Sequence, residues 1–464
     1  MLKTSLKNFL VQSQLNKILR YLFAVFFLSY QSSYALNLIS DAEIESGIKH
    51  IVSPIIKAAN LNPDEVKIFI VLNPEVNAFA INGQSVFINT GLIKLFNDVN
   101  ILKGVFAHEI GHVTGGHIVR TRQKIDELSS QTVITTLLGV AAIAGGAPEV
   151  GGALMGGGIH SLERSMLRFS RENEYSADQA AFKYLRLSQN SPEGLVKLLE
   201  YFNSQNLSVD KDKFKYMITH PLSSERLFAA KTQENWTLDS KRNHNDQLVY
   251  NRVYAKLNGF IDDPEFVINK SKVDVDEFSR DYELSIAYYR LNNFNKSMSI
   301  LDGLIKKEPY NSYIYELKAQ FLFEYGKLDE AIPVYEKALS LNKDDDLLRL
   351  ELAVVLINSA NKNGNIQSVD QYYKRAITLL KTVLISNPNN AWAYRNLSIA
   401  YGRIGDLGAS NLMLAEEALL YEKLDQALKF ANLANKYKLN KNLKLRVGDI
   451  IKSVRDIKEG SVNG

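Results

Sequence analysis

"FAHEIGHVTGGH", residues 106–117, gathers three of the chain's seven histidines into twelve positions, with a glutamate directly after the first. It lies within the apolar stretch "ILKGVFAHEIGHV" (101–113), which predicts a buried helix over about 100–120. His108 and His112 are four residues apart, so on a helix both imidazoles leave one face, one turn above the other, at a spacing that suits tetrahedral Zn²⁺. Glu109 sits beside His108 and can reach a water at the metal without ligating the metal itself. This is the HExxH pattern, in which the ion polarises a peptide carbonyl and acidifies water while the glutamate takes and returns the proton. Two ordinary core histidines are the competing reading; the apolar, low-dielectric setting of the helix favours the metal.

The third ligand is the next question. HExxHxxGxxH would place it at position 118, which is Ile118, although Gly115 is correctly placed. His117 is one residue early and on a continuous helix points roughly 140° away from His112, so it reads as a structural or supporting residue. A better source is "SRENEYSADQAA" (170–181), where Glu174 and Asp178 share a helix face at i and i+4 while Glu172 projects to the other side. Glu174 can close the third metal position. Asp178 can accept a hydrogen bond from the far nitrogen of a liganding histidine and fix its tautomer.

Outward from this centre the 464 residues read as several domains. Residues 1–35 have the layout of a secretory signal: a basic stretch ending at Arg20, the apolar run "YLFAVFFLSY" (21–30), and Ser33 and Ala35 at −3 and −1 of a cleavage site. An uncleaved anchor is the alternative. With this segment removed, basic and acidic residues balance at 51 each, which gives no electrostatic reason to expect nucleic-acid binding. The absence of cysteine excludes thiolate metal sites, a Cys nucleophile and a Cys-linked lipid anchor.

"DAEIESGIKHIVSPIIKAANL" (41–61) predicts an amphipathic helix with Ile44, Ile48, Ile51, Val52, Ile55 and Ile56 on one face. "VKIFIVLN" (66–73) and "VNAFAINGQSVFINTG" (76–91) predict strands, the second broken by a turn at "NGQS" (82–85). A second helix is expected over 161–187. Between the two motif helices lies a Gly- and Ala-rich stretch (132–160), read as a packed helical hairpin or a peripheral membrane-contacting surface; its eight glycines and internal Pro148 argue against a simple span. From about 279 paired helices repeat: "ELSIAYYRLNNFNKSMSIL" (283–301) aligns with "LKAQFLFEYGKLDEAIPVY" (317–335) at an offset of 34, the tetratricopeptide period. Ser285 then matches Ala319, Asn292 matches Gly326 and Ser297 matches Ala331. A lengthened repeat covers 353–375. Such repeats stack into a superhelix whose concave face takes segments of other proteins.

"NAFAINGQSVFINTGLI", "AHEIGHVTGGH", "SRENEYSAD" and "THPLSSERL" stand in the order found in the BepA-like periplasmic zinc metallopeptidases, relatives of HtpX and of the CAAX prenyl endopeptidases, and the repeat tail has the same place. The chain resembles that family over essentially its whole length after the signal. The resemblance implies one Zn²⁺ per chain held by His108, His112 and Glu174, with Glu109 as general base and acid and Asp178 behind a ligand. It implies that His220 lies on a loop able to cover the metal as a fourth ligand, and that Arg226 faces the same cleft and steadies the charged intermediate. It also implies that Ala78, Phe79, Ala80 and Ile81 form an edge strand for substrate, although relatives carry a Gly-Gly turn where this chain has "NGQS".

The expected architecture is mainly α: an α+β zincin-type, gluzincin-like domain with a small sheet at 36–240, a connecting helical segment at 241–278 and an all-α tetratricopeptide solenoid at 279–464. The expected function is periplasmic zinc-dependent proteolysis in outer-membrane protein assembly and quality control. Stalled or unfolded β-barrel proteins and their assembly machinery are the partners of the repeats. A chaperone or scaffold with a closed, His220-plugged zinc site is the alternative, and a membrane-embedded peptidase of the HtpX kind a third.

Overall fold

The computed structural model describes residues 37–81, 84–121, 123–124, 170–204, 216, 220–222, 224–233, 240–270, 275–362 and 366–462. The signal segment, residues 132–160 and the first part of the expected helix 161–187 lie outside them. Asp41 starts helix α1 (Ala42–Ala58), its carboxylate accepting the Ile44 amide at 2.9 Å. The six aliphatic residues of its expected face are all buried.

Strands β1 (Leu38–Ile39), β2 (Lys67–Val71), β3 (Ala78–Ile81) and β4 (Ser85–Asn89) form one sheet in the order β1-β2-β4-β3. β2 and β4 run parallel; the other two pairs are antiparallel. Every residue of β4 is buried, as a strand covered on both faces and both sides must be. Phe69, Phe87 and Phe79 stack in a row across the sheet, with ring centroids 4.8 and 5.1 Å apart. That row supports the register of β3, which is one of the two edge strands of the sheet.

Helices α2 (Thr90–Leu95) and α3 (Val99–Thr114) follow, α3 begun by the Asp98 side chain. α3 is buried nearly all round, which explains its near-continuous apolar sequence. The helix expected to continue to 120 instead breaks at Gly115 and Gly116, where Gly116 takes φ +61, and resumes at 117–121. Helix α4 is described over 170–187, and α5 (Glu193–Ser204), α6 (Ser224–Lys231) and α7 (Ser240–Ile261) complete the domain. α5 crosses α3 closely, because a Cβ at Gly104 would stand 2.6 Å from the Leu195 amide nitrogen.

α7 departs from its expected role as a connector. Tyr250, Val253 and Leu257 belong to the same core as α1, α3 and the sheet, and fully buried Lys103 of α3 is paired with Asp246 at 2.6 Å. The polar sequence of α7 concealed this, since its contacts to the core are partly ionic.

After α8 (Pro264–Asn269) the chain forms helix pairs: α9 and α10 (Glu277–Arg290, Phe294–Lys307), α11 and α12 (Ser312–Glu324, Leu328–Leu341), α13 and α14 (Asp346–Lys362, Ile366–Ser386), α15 and α16 (Ala391–Arg403, Leu407–Leu420), and α17 and α18 (Leu424–Ala434, Lys441–Val462). Asn292, Gly326 and Gly405 close the first helix of their pairs in the left-handed region, with φ +58, +83 and +83. Ser285, Ala319, Ser297 and Ala331 are all fully buried, small residues where paired helices touch. The lengthened repeat is accommodated by longer helices, α13 and α14 having 17 and 21 residues against 14 and 14 in α9 and α10. Among the described residues no helix is long and apolar enough to cross a membrane.

The solenoid is fastened to the core of the N-terminal part by a buried charged group. Lys256 of α7, 1% exposed, reaches Asp41 at 2.8 Å and Glu43 at 3.3 Å. Glu43 accepts the Tyr282 hydroxyl of α9 at 2.6 Å, and Glu316 of α11 lies 4.0 Å from the same ammonium. Burial alone would lower the Lys256 pKa, but Asp41, Glu316 and Glu43 hold it well above the usual lysine value. Removing the cation leaves buried carboxylates uncompensated. Lys256→Ala is therefore expected to cost about 3–5 kcal/mol in urea unfolding, while Lys49→Ala, which breaks the exposed pair with Asp64, leaves the unfolding midpoint nearly unchanged. Equal small effects would show that the junction is not held by this group.

Candidate metal centre

The two motif helices meet at Gly111, between the two histidines. A Cβ there would lie 2.7 Å from the carbonyl oxygen of Ala177, so α3 and α4 touch backbone against backbone. Glu174 and Asp178 flank Ala177 on the inner face of α4 and are thereby set against His108 and His112. Glu172 is exposed on the far face.

His108 Nε2 stands 3.0 Å from His112 Nε2, 3.2 Å from His220 Nδ1 and 3.3 Å from Glu174 Oε2. Glu174 Oε1 is 3.4 Å from His112 Nε2 and 3.3 Å from His220 Nδ1. One ligand atom from each of these four buried residues lies within 4.8 Å of the others. Four donors bound to one tetrahedral Zn²⁺ at ordinary bond lengths stand about 3.3 Å from each other. The donor set fits such an ion chemically as well. His108 Nδ1 is taken by Asp178 Oδ1 at 2.9 Å, which leaves the Nε2 lone pair turned toward its neighbours.

The surroundings tune each group. Glu109 is 1% exposed, and burial raises its carboxyl above the usual range, against the opposing pull of His220 and His108. Burial would lower His108, yet hydrogen bonds to Asp178 and Glu174 override this and hold it up at about 10. Burial lowers His112 to about 3. Asp178, which burial would raise, is kept below the usual carboxylate range by the Arg226 charge and by His108.

Arg226 differs from its expectation. Its guanidinium forks onto Asp178, Nε to Oδ2 at 2.7 Å and Nη2 to Oδ1 at 3.0 Å, while Nη1 approaches Glu174 Oε2 at 3.0 Å and donates to the Pro221 carbonyl at 2.9 Å. It is 2% exposed and stands behind the ligands, outside the lining of the cleft. Two acidic groups attract it there more strongly than an open cleft would.

The cleft in front of the centre encloses ≈ 370 Å³ between Phe79 and Ala80 of β3, Glu109, His112, Ile118, Asn173 and His220. Ala80 of the edge strand and Glu109 of the motif helix line the same cleft. His220 stands between two groups, its Nε2 3.4 Å from Glu109 Oε1 and its Nδ1 within the ligand cluster. Tyr216 was not foreseen. Its ring lies 4.5 Å from that of His220 and 5.4 Å from that of Phe202, and its carbonyl accepts the His220 amide at 2.8 Å. The four-residue spacing of "YMITH" (216–220) was the available signal. Asn82 and Gly83 of the "NGQS" turn lie outside the described residues.

Residues 42–234 match Peptidase family M48. The chain is 24% identical over 400 residues to the beta-barrel assembly-enhancing protease of Yersinia pestis, spanning 84% of this chain and 79% of that one. It is 23% identical over 430 residues to the protein of that name from Escherichia coli (strain K12), spanning 91% and 85%. The solved structure "MamA MSR-1 C2" overlaps 38% of this chain and 98% of its own at 19% identity, with a TM-score of 0.31. The chain resembles these proteases along most of its length and is a metalloendopeptidase.

The close approach at Gly111 gives a direct test of this geometry. Gly111→Ala is expected to push α4 away and lower zinc affinity at least about tenfold, the loss typical of a disturbed ligand surround, with far-ultraviolet circular dichroism unchanged. Unaltered affinity in a zinc competition titration would show that helix contact does not set the ligand positions.

Proposed function

We propose that this metalloendopeptidase is a zinc-dependent enzyme of the periplasm that cuts outer-membrane β-barrel proteins whose assembly has failed, with the repeats recruiting those proteins or their assembly machinery. The convergence of His108, His112, Glu174 and His220 carries the zinc reading, because a buried set of nitrogen and carboxylate donors without thiolates suits that ion. The names of the relatives and the length of the likeness support the role in barrel assembly. The signal-like residues 1–35 support the compartment.

His108, His112 and Glu174 would hold the ion, with His220 as a fourth ligand in a closed state. When bound, the ion supplies Lewis acidity toward the scissile carbonyl and toward water. Glu109 accepts a proton at its carboxylate and later returns it to the leaving amine; burial raises its pKa toward the working pH of a general base. Asp178 holds the Nδ1 proton of His108 and keeps that ring's orientation. Arg226 balances the Asp178 and Glu174 charges and, through the Pro221 carbonyl, steadies the loop that carries His220. Ala78–Ile81 offers its free edge to an extended substrate backbone. His220 must leave Glu109 before substrate enters.

A chaperone with a structural zinc is the second reading, favoured by one observation: the fourth donor is within the cluster, and closed four-ligand zinc sites are structural. Glu109 argues for the protease, since a structural ion needs no base. Casein degradation by the purified chain separates the two, with zinc content measured for each variant. Glu109→Gln is expected to keep its zinc and lose at least about 10²-fold in rate, and His220→Ala to cut faster than wild type. If no form cuts while each holds one zinc, the chaperone reading stands instead.

A further inference from the structure

We infer that His117 is a positioning residue that orients His112 for the metal, through a hydrogen bond between the two Nδ1 atoms. The inference rests on the zinc reading above. His117 Nδ1 lies 3.0 Å from His112 Nδ1, and the rings meet edge to face at 82° with centroids 5.0 Å apart. Two imidazole nitrogens at that distance need a proton between them, one ring donating and the other accepting. His112 Nε2 is turned to His108 Nε2 and to Glu174 Oε1, the direction in which it would present a lone pair to an ion. A neutral imidazole with a lone pair on Nε2 carries its hydrogen on Nδ1. His112 is therefore the donor and His117 the acceptor.

The two histidines of the motif are thus supported in parallel. Asp178 receives Nδ1–H of His108 at 2.9 Å, and His117 receives Nδ1–H of His112. The chain is shaped locally to make this contact. A continuous helix would carry position 117 away from His112, but α3 stops at Thr114 and Gly116 turns the backbone with φ +61. The His117 ring then folds back over Gly115. A Cβ on Gly115 would stand 2.4 Å from His117 Nε2, so only glycine leaves room for the ring. Gly115, Gly116 and His117 act together, and the ring they place is 2% exposed. Because the acceptor is an uncharged ring rather than a second carboxylate, His112 is oriented without adding negative charge to a site that already holds Glu174, Asp178 and Glu109.

The test uses the full chain loaded with one zinc, and follows zinc transfer to a chromophoric chelator for wild type, His117→Ala, His117→Asn and Gly115→Ala. Melting of the metal-free proteins is measured alongside. His117→Ala and Gly115→Ala are expected to weaken zinc binding by about 10–100-fold. His117→Asn, whose amide oxygen can accept the same hydrogen bond, is expected to recover most of that loss, and the cobalt-substituted His117→Ala protein to keep the absorption of a four-coordinate site. His117→Ala with wild-type zinc affinity, or His117→Asn as weak as His117→Ala, overturns the inference. So does a cobalt spectrum that reports a lost ligand, which would make His117 a ligand itself. A wild-type chain that takes up no zinc would instead remove the metal reading on which the inference rests.

Discussion

Three imidazoles and a carboxylate aim lone pairs at one another in the interior of the domain, and such a cluster is stable only with positive charge among them. Everything around it serves that requirement. Gly111 lets α4 approach α3 until Glu174 comes within 3.4 Å of both motif histidines. Asp178 takes the outer proton of His108, and Arg226 in turn neutralises Asp178 and approaches Glu174. The result is a shell of alternating charge in which Asp178 and Glu174 both face Arg226. Each of these side chains is almost wholly removed from solvent.

Much of this centre was legible because its parts repeat at helical spacing. The four-residue steps from His108 to His112 and from Glu174 to Asp178 each define one face of one helix, and two such faces with complementary chemistry imply a meeting. The 34-residue offset announced the solenoid for the same reason: it is a local period. What the sequence concealed depends on contacts between distant positions or on a break in the period. The direction of Arg226 is decided by Asp178, 48 residues earlier. A continuous helix would carry His117 away from His112, and the turn at Gly116 brings it back. The four-residue spacing of Tyr216 and His220 hints at their contact, but nothing local places Phe202 against the other side of the same tyrosine.

The junction between the two parts was the least legible feature. Lys256 and Asp41 are 215 residues apart, and a Lys in a polar helix ordinarily marks a solvated face. Here it sits under α1 and the first two repeats, paired with Asp41 and Glu43. A buried ion group of this kind contributes little net stability against an apolar equivalent, because desolvation offsets attraction. It does demand its partners in place. The helix that would have been a linker thereby joins the peptidase core to the solenoid in one fixed register.

X-ray absorption at the zinc edge on the purified full chain tests the central claim most directly. The account predicts one zinc per chain with a first shell of only nitrogen and oxygen at about 2.0–2.1 Å, fitted by three imidazoles and a carboxylate in the closed state, and losing two of the three imidazole contributions, or the zinc itself, in a His108→Ala, His112→Ala double variant. A chain that binds no zinc, or a shell unaltered when those two histidines are removed, would contradict it.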